Sequence, residues 1–392
     1  MGTDYQEHKV SSVNPESVNR LLYLSEGKYI GRVRKEDKEF LNYLRNRRTL
    51  QWGGMADPLD EFERTHGVSL RLLEIFDQHD YPLSISTKGV WWTRDERYME
   101  LVRAHAHNWH WKISIITADP IKARAIEDRV DSPQERLKAI KRLADTGAHV
   151  TLRLRPYIVG LSDDWRDLII AAKRAGADSV TVEYFCLEGR AQPELKERYT
   201  TMSRVMGYDM YEYYRTHSPK QHGYMRLNYA LKADTIAGIK ELAHRLGMRF
   251  YCSDAHHKGK SDFTCCCGVP PDWKVSKGQF TEALMIAKQR HRRGEEPLMY
   301  WSDISGDAAD IFREVNAPDA NGMNVARSTS KSRAIHRGRS VDQWLQFQWN
   351  NPKSGYSPVR YFGEPVSVHG IDDDGNIVYM YREGRGEENG QE

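Results

Sequence analysis

The stretch SPQERLKAIKRLADTGAHVTLRLRPYI, Ser132–Ile158, holds one complete helix-to-strand unit. Ser132 suits a helix N-cap, Pro133 takes the first helical position, and Glu135 follows the cap at capping-box spacing. Gly147 supplies the stop. VTLRLRPYI, Val150–Ile158, then alternates apolar and basic residues, which is a strand signature. The rhythm extends upstream. Leu50–Gly54 is a short apolar run closed by a glycine pair, Ser69–Phe76 has a helical pattern, and Pro82–Gly89 reads as a strand. A helix around Arg94–Ala106 and a strand at Trp111–Asp119 follow. Downstream come a helix at Asp164–Arg174, a strand at Ser179–Phe185, a longer helical insertion, a helix at Asp234–Leu246 and a strand at Met248–Asp254. Repeated βα units imply parallel strands joined by right-handed crossovers. An open doubly wound sheet and a barrel both fit. Polar residues stand at the strand ends, at Asp57, Lys88, Asp119, Arg155, Glu183 and Asp254. In a barrel those ends form the active face, whereas ordinary strand–loop polarity is the plainer explanation.

The 392 residues are 39% hydrophobic and 29% charged, a globular profile with enough chain for a sizeable core. No stretch approaches the ~18 consecutive apolar residues of a membrane span. The N-terminal MGTDYQEHKVSS lacks the apolar region of a secretory signal, so a cytoplasmic protein is expected. A net charge of +3 is too small to select a partner. Five regions are expected: a helical N-terminal segment (1–48), the βα region (49–275), a helical connection (276–322), a basic and aromatic extension (323–382) and a disordered tail (383–392).

The extension carries seven Lys/Arg against one acid between Asn324 and Arg360, with Trp344, Phe347, Trp349, Tyr356 and Tyr361 interleaved. Arg327, Lys331, Arg333, Arg337 and Arg339 suit phosphates, and Trp344 and Trp349 suit base stacking, so nucleic acid is an expected partner. A solvated surface with a few core aromatics is the alternative. VSVHGIDDDGNIVYMYRE then reads as a β-hairpin turning at Asp-Gly-Asn.

The run WGGMADPLDEFERTHGVSLRLLEIFDQHDYPLSISTKG, together with Ser132–Gly147 and Leu154–Gly160, resembles the radical S-adenosylmethionine enzymes. Within them it is similar to the spore photoproduct lyase-like, DNA-repair-lyase-like branch. The resemblance covers roughly Leu50–Phe185 and extends more weakly to Gly268. It implies a partial (β/α)6 TIM-type barrel, here with its first βα unit missing and a small basic C-terminal extension ending in a hairpin. It also implies that S-adenosylmethionine sits at the strand C-termini. The Gly53-Gly54-Met55 strand end, followed by Asp57, would meet the methionine amino group. Lys88 would pair with the carboxylate or a ribose oxygen, Ser114 would hydrogen-bond the same portion, and Arg153 and Arg155 would line the cavity. A DNA lesion or nucleic-acid base is the implied substrate.

The sequence departs from this family in one respect. It has no Cys-x3-Cys-x2-Cys spacing for the [4Fe-4S] cluster and no cysteine before Cys186. A cluster supplied by a second chain or by a segment absent from this sequence is the favoured expectation, ahead of a paralogue that has lost radical chemistry. Cys252 and the run Cys265-Cys266-Cys267 could hold an auxiliary iron–sulfur cluster or Zn²⁺, against inert buried thiols. Cys186 is a weak candidate for a hydrogen-donor thiol. Asp254-Ala255-His256-His257 resembles a metal-hydrolase strand end, and His105-Ala106-His107 resembles a hydrolase His-x-His. The latter, with His110, precedes its strand and reads more simply as a polar helix end, which leaves a metal-dependent hydrolase a distant alternative.

Overall fold

The structure is a computed structural model that describes residues 13–31, 38–54, 56–188, 193–218, 224–254, 257–263, 268–274, 280–311, 341–363 and 365–382. Met55, His256, Cys265–Cys267, Arg327, Lys331, Arg333, Arg337, Arg339 and the tail 383–392 lie outside these residues. The chain divides into two compact units. One contains residues 49–254 and 266–273, and the other contains residues 19–48 and the chain from 274 onward.

The first unit is built on β1 (Leu50–Trp52), β2 (Leu83–Thr87), β3 (Trp109–Ser114), β4 (His149–Tyr157) and β5 (Ser179–Tyr184). A small antiparallel pair, β6 (Cys186–Glu188) and β7 (Tyr224–Arg226), precedes β8 (Arg249–Cys252). The main sheet runs β1-β2-β3-β4-β5-β8, and every pairing in it is parallel. Its strand order never reverses. Right-handed crossovers taken in one direction place every connecting helix on one face, which selects a partial barrel over a doubly wound sheet.

The helix expected from Ser132 forms where its cap signals it, and the one expected at Asp234–Leu246 starts earlier, at Tyr229, capped by Asn228. Ser132 Oγ accepts the backbone N–H of Glu135 at 3.3 Å, and the helix runs Pro133–Ala144. The strand expected at Trp111 begins two residues earlier, at Trp109. The alternation explains the shift. Trp109, Trp111 and Ile113 form one fully buried row, and Trp92 packs 4.5 Å from Trp111. His110, Lys112 and Ser114 form the row on the opposite face. Asp119 is not a site residue at a strand end. Its carboxylate caps the helix Pro120–Ile126 by accepting the N–H groups of Ile121 and Lys122.

Alternation gives the barrel a polar inner face. Lys112 Nζ donates to Gln51 Oε1 at 2.7 Å. Lower down, one hydrogen-bonded chain crosses four strands. Ser84 Oγ lies 2.9 Å from His110 Nδ1, His110 Nε2 lies 2.7 Å from Thr151 Oγ1, and Thr151 Oγ1 lies 2.6 Å from Ser179 Oγ. Ser179 donates onward to Asp178, which also receives His149 and Arg249 at 2.6 Å each. Burial, foremost, and then the Lys112 charge hold the His110 imidazole well below its ordinary range, so it stays neutral. A neutral ring passes one donor and one acceptor along the chain. The segment after Gly268 lies against this row. A Cβ at Gly268 would come within 2.6 Å of Thr151 Oγ1, and Tyr251 Oη donates to Val269 O at 3.2 Å.

The second unit carries β9 (Leu298–Met299), β10 (Val366–Ile371) and β11 (Ile377–Tyr381) as an antiparallel sheet ordered β10-β11-β9. The expected hairpin is present, with Asp372 Oδ1 accepting the N–H groups of Asp374 and Asn376 in its turn. The core joins Phe280, Leu284, Ile304, Trp349, Phe362 and Tyr379. The expected helical connection and the basic extension therefore share one core. Trp349 is not a stacking residue. It is fully buried, its indole N–H donates to Ile377 O at 2.6 Å, and Tyr379 Oη bonds its carbonyl. Trp344 is half-buried with its ring 5.8 Å from that of exposed Tyr356. No helix among the described residues is long and apolar enough to cross a membrane.

Candidate functional site

Gly53-Gly54, Lys88, Arg155 and Glu183 stand at the C-terminal ends of β1, β2, β4 and β5, the rim of the barrel. At the end of β1, Gly53 has φ +86°, and a Cβ there would sit 2.0 Å from the carbonyl oxygen of Ser86. Only glycine lets these two backbones approach so closely. Gly53→Ala is expected to lower stability by about 2–3 kcal/mol, combining a disfavoured φ with a backbone clash. A urea midpoint that drops with an unchanged m value would confirm this. An unchanged midpoint would refute the close approach.

Asp57 acts as a buckle beneath the rim and not as a ligand. One carboxylate oxygen accepts the N–H groups of Lys88 at 2.6 Å and Gly89 at 3.2 Å. The other accepts the Thr87 hydroxyl at 2.6 Å and the N–H of Leu59 at 3.0 Å. The carboxylate thereby fixes the turn that carries Lys88. The Lys88 ammonium, expected on a cofactor carboxylate, lies 2.5 Å from Glu127 Oε1. Arg136 reaches the second Glu127 oxygen at 2.8 Å and the carbonyl of Ser114, also at 2.8 Å. Burial works against charge on Glu127, but Lys88 and Arg136 outweigh it and hold the carboxyl below its usual range. Neither Glu127 nor Arg136 stood out in the sequence. Acidic and basic helix residues normally face water, and no local pattern marks a pair that bridges 39 positions from Lys88.

Ser114 and Arg153 meet on the inner face, with Arg153 Nη1 donating to Ser114 Oγ at 3.0 Å. One turn of alternation higher, Arg155 forms an ion pair with Glu183 of the neighbouring strand. Ser253 Oγ adds a hydrogen bond to Glu183 at 3.2 Å. The Arg155 and Glu183 side chains are 34% and 25% exposed, so both charges are open to a ligand. The rim thus offers a guanidinium and a carboxylate side by side above a wall of hydroxyl and cationic groups. That arrangement complements the carboxylate and ammonium of an α-amino acid group.

The remaining candidates separate. Asp254, read as a metal-hydrolase ligand, is paired with buried Lys232 and accepts the Tyr184 N–H at 3.0 Å. Cys252 shares the helix-facing row of β8 with Phe250. Both are fully buried, and burial pushes the thiol well up. Cys186 is half-buried on β6, with Sγ 3.8 Å from Tyr184 O and its thiol raised by burial. Among the described residues, Cys186 and Cys252 provide no three-thiolate set for a [4Fe-4S] cluster. The Arg155–Glu183 pair has the charge complement of an α-amino acid group, and the described residues give a [4Fe-4S] cluster no seat.

No family model matches the chain. Over 174 residues it is 27% identical to an uncharacterized protein of Mycobacterium tuberculosis, a match covering 40% of this chain and 50% of that protein. An uncharacterized protein of Mycobacterium bovis matches to the same extent. The chain spans about half the length of the curated relatives it matches. Among solved structures, spore photoproduct lyase complexed with dinucleoside spore photoproduct is similar at a TM-score of 0.42 and 14% identity, over 59% of this chain and 72% of that one. A mutant of the same lyase with bound AdoMet and dinucleoside spore photoproduct gives 0.40 and 14%, over 59% and 70%.

Proposed function

We propose that the barrel unit binds S-adenosylmethionine on its strand C-terminal rim and is the cofactor-holding part of a radical S-adenosylmethionine-type enzyme that acts on nucleic acid. The Arg155–Glu183 pair at the C-terminal ends of β4 and β5 carries this reading. When bound, S-adenosylmethionine would supply a 5′-deoxyadenosyl group for hydrogen abstraction. Arg155 would receive the carboxylate and Glu183 the ammonium. Backbone atoms of Gly53 and Gly54 would line the same portion, and Ser114 with Arg153 would wall the interior. Lys88, held by Glu127, would add positive potential without leaving its partner. We place the cluster on a partner chain and derive no step through it.

Titration of the purified chain with S-adenosylmethionine by calorimetry tests the reading. Saturable binding is expected, and Arg155→Ala should weaken it by about 2 kcal/mol, roughly thirty-fold, by stripping a charge pair of one member. Absence of saturable binding, or an Arg155→Ala chain that binds as wild type does, would overturn it. A second reading, a nucleic-acid-binding subunit without cofactor, draws on exposed Tyr356 and Phe347 near Lys353 and Arg360 in the second unit. Single-stranded oligonucleotide binding without any S-adenosylmethionine binding would favour that one.

A further inference from the structure

We propose that Asp80, His105 and His107 form a surface site for a divalent transition-metal ion, Zn²⁺ foremost, at the end of the barrel opposite the rim. Asp80 lies in the turn entering β2, and the two histidines lie in the turn entering β3. Their donor atoms all lie within 4.8 Å of one another. Asp80 Oδ1 is 3.4 Å from His105 Nδ1 and 3.3 Å from His107 Nε2. Ligands held at about 2.0–2.1 Å around a tetrahedral ion stand about 3.3–3.4 Å apart, so these two edges already have the required length.

The surroundings are those of a ligand set. Asp77 Oδ1 lies 2.7 Å from His105 Nε2, the outer carboxylate that orients a metal-bound imidazole. The His105 ring is buried and stacked on Trp109 at 4.4 Å and 17°, so its Nδ1 is aimed. That nitrogen also faces Asn108 Oδ1 at 3.1 Å. Both ring nitrogens of His105 therefore face oxygen atoms. Asp80 itself is held at φ +45°, with its N–H on Asp77 O at 2.9 Å and Asn108 Nδ2 on its Oδ1 at 2.6 Å. His107 and Asp80 are exposed, which leaves the fourth position to water. The ion would clip the two turns together. The imidazole and carboxylate donors suit Zn²⁺, and Ni²⁺ or Cu²⁺ by the same chemistry.

Titration of the full-length chain with Co²⁺ and Zn²⁺ tests the site. Wild type is expected to take up an equivalent of Co²⁺ with the visible bands of four-coordinate nitrogen and oxygen ligation. His107→Ala, which alters an exposed ring, should lose that equivalent, with Zn²⁺ binding weaker by about 100-fold, at unchanged far-UV circular dichroism. Asp77→Asn should keep the bands and weaken binding by about 10–100-fold. A His107→Ala chain that titrates as wild type would overturn the proposal. So would a Co²⁺ spectrum made up only of thiolate charge-transfer bands, which would put the ion on cysteines.

Discussion

Glu127→Ala should cost about 3–5 kcal/mol, among the largest effects of any single change in the barrel unit. The substitution removes the acid between Lys88 and Arg136 and leaves two cations facing each other where Arg136 is almost wholly enclosed. Coulomb attraction that offset their desolvation becomes repulsion. Chemical denaturation measures the loss, and a wild-type midpoint would mean that both cations reach water. The pH dependence has a defined sign. The Glu127 carboxyl is held below its ordinary range in the folded chain, so the unfolded chain binds its proton first as pH falls. The contribution is full above the ordinary glutamate value of about 4.5 and disappears as pH drops through the folded value. Glu127→Gln should flatten that acid limb.

The Lys232–Asp254 pair should behave differently in a double-mutant cycle. Its side chains are 1% and 4% exposed. Asp254→Leu and Lys232→Met should each cost about 3–5 kcal/mol, because each strands the other charge in the core. Combining Lys232→Met with Asp254→Leu removes both charges and should restore most of the loss. Recovery should stop about 1–3 kcal/mol short of wild type, because Asp254 also accepts the Tyr184 N–H and the double variant leaves that donor unpaired. Additive losses would show that the two groups are not coupled.

These predictions rest on partners the sequence does not display. The βα order, the Ser132 cap and the alternating Leu152-Arg153-Leu154-Arg155 are local patterns, and each appears where it was read. The six barrel strands follow from the same local logic. The strand expected from Trp111 starts at Trp109, because both tryptophans fill one buried row. Partnership is a tertiary property. Nothing near Lys88 announces Glu127, and nothing near Arg155 announces Glu183 beyond its place at a strand end. Trp349 shows the limit for aromatic residues. Its neighbours are basic and aromatic, as in a stacking surface, yet its ring fills a core with Phe280 and Tyr379. Composition records that an aromatic is present and not which way it turns. The His105-x-His107 pair shows the reverse. It looked ordinary because its third partner, Asp80, sits in another turn and in a left-handed backbone conformation that no pattern signals.

The hydrogen-bonded row across the lower barrel has a consequence for how the chain finds its structure. Ser84, His110, Thr151 and Ser179 each come from a different strand and bond only when all four strands share one alignment. A slip of one residue along β3 would turn Trp109 and Trp111 inward and His110 outward among the helices, stranding an imidazole in apolar surroundings. An all-aliphatic interior would accept such a slip at small cost, because one methyl group replaces another. Here each wrong alignment leaves several enclosed hydroxyls without partners. The row therefore works as a lock whose tumblers are spread over four strands, and it opens a folding path only for the chain that has counted its residues correctly.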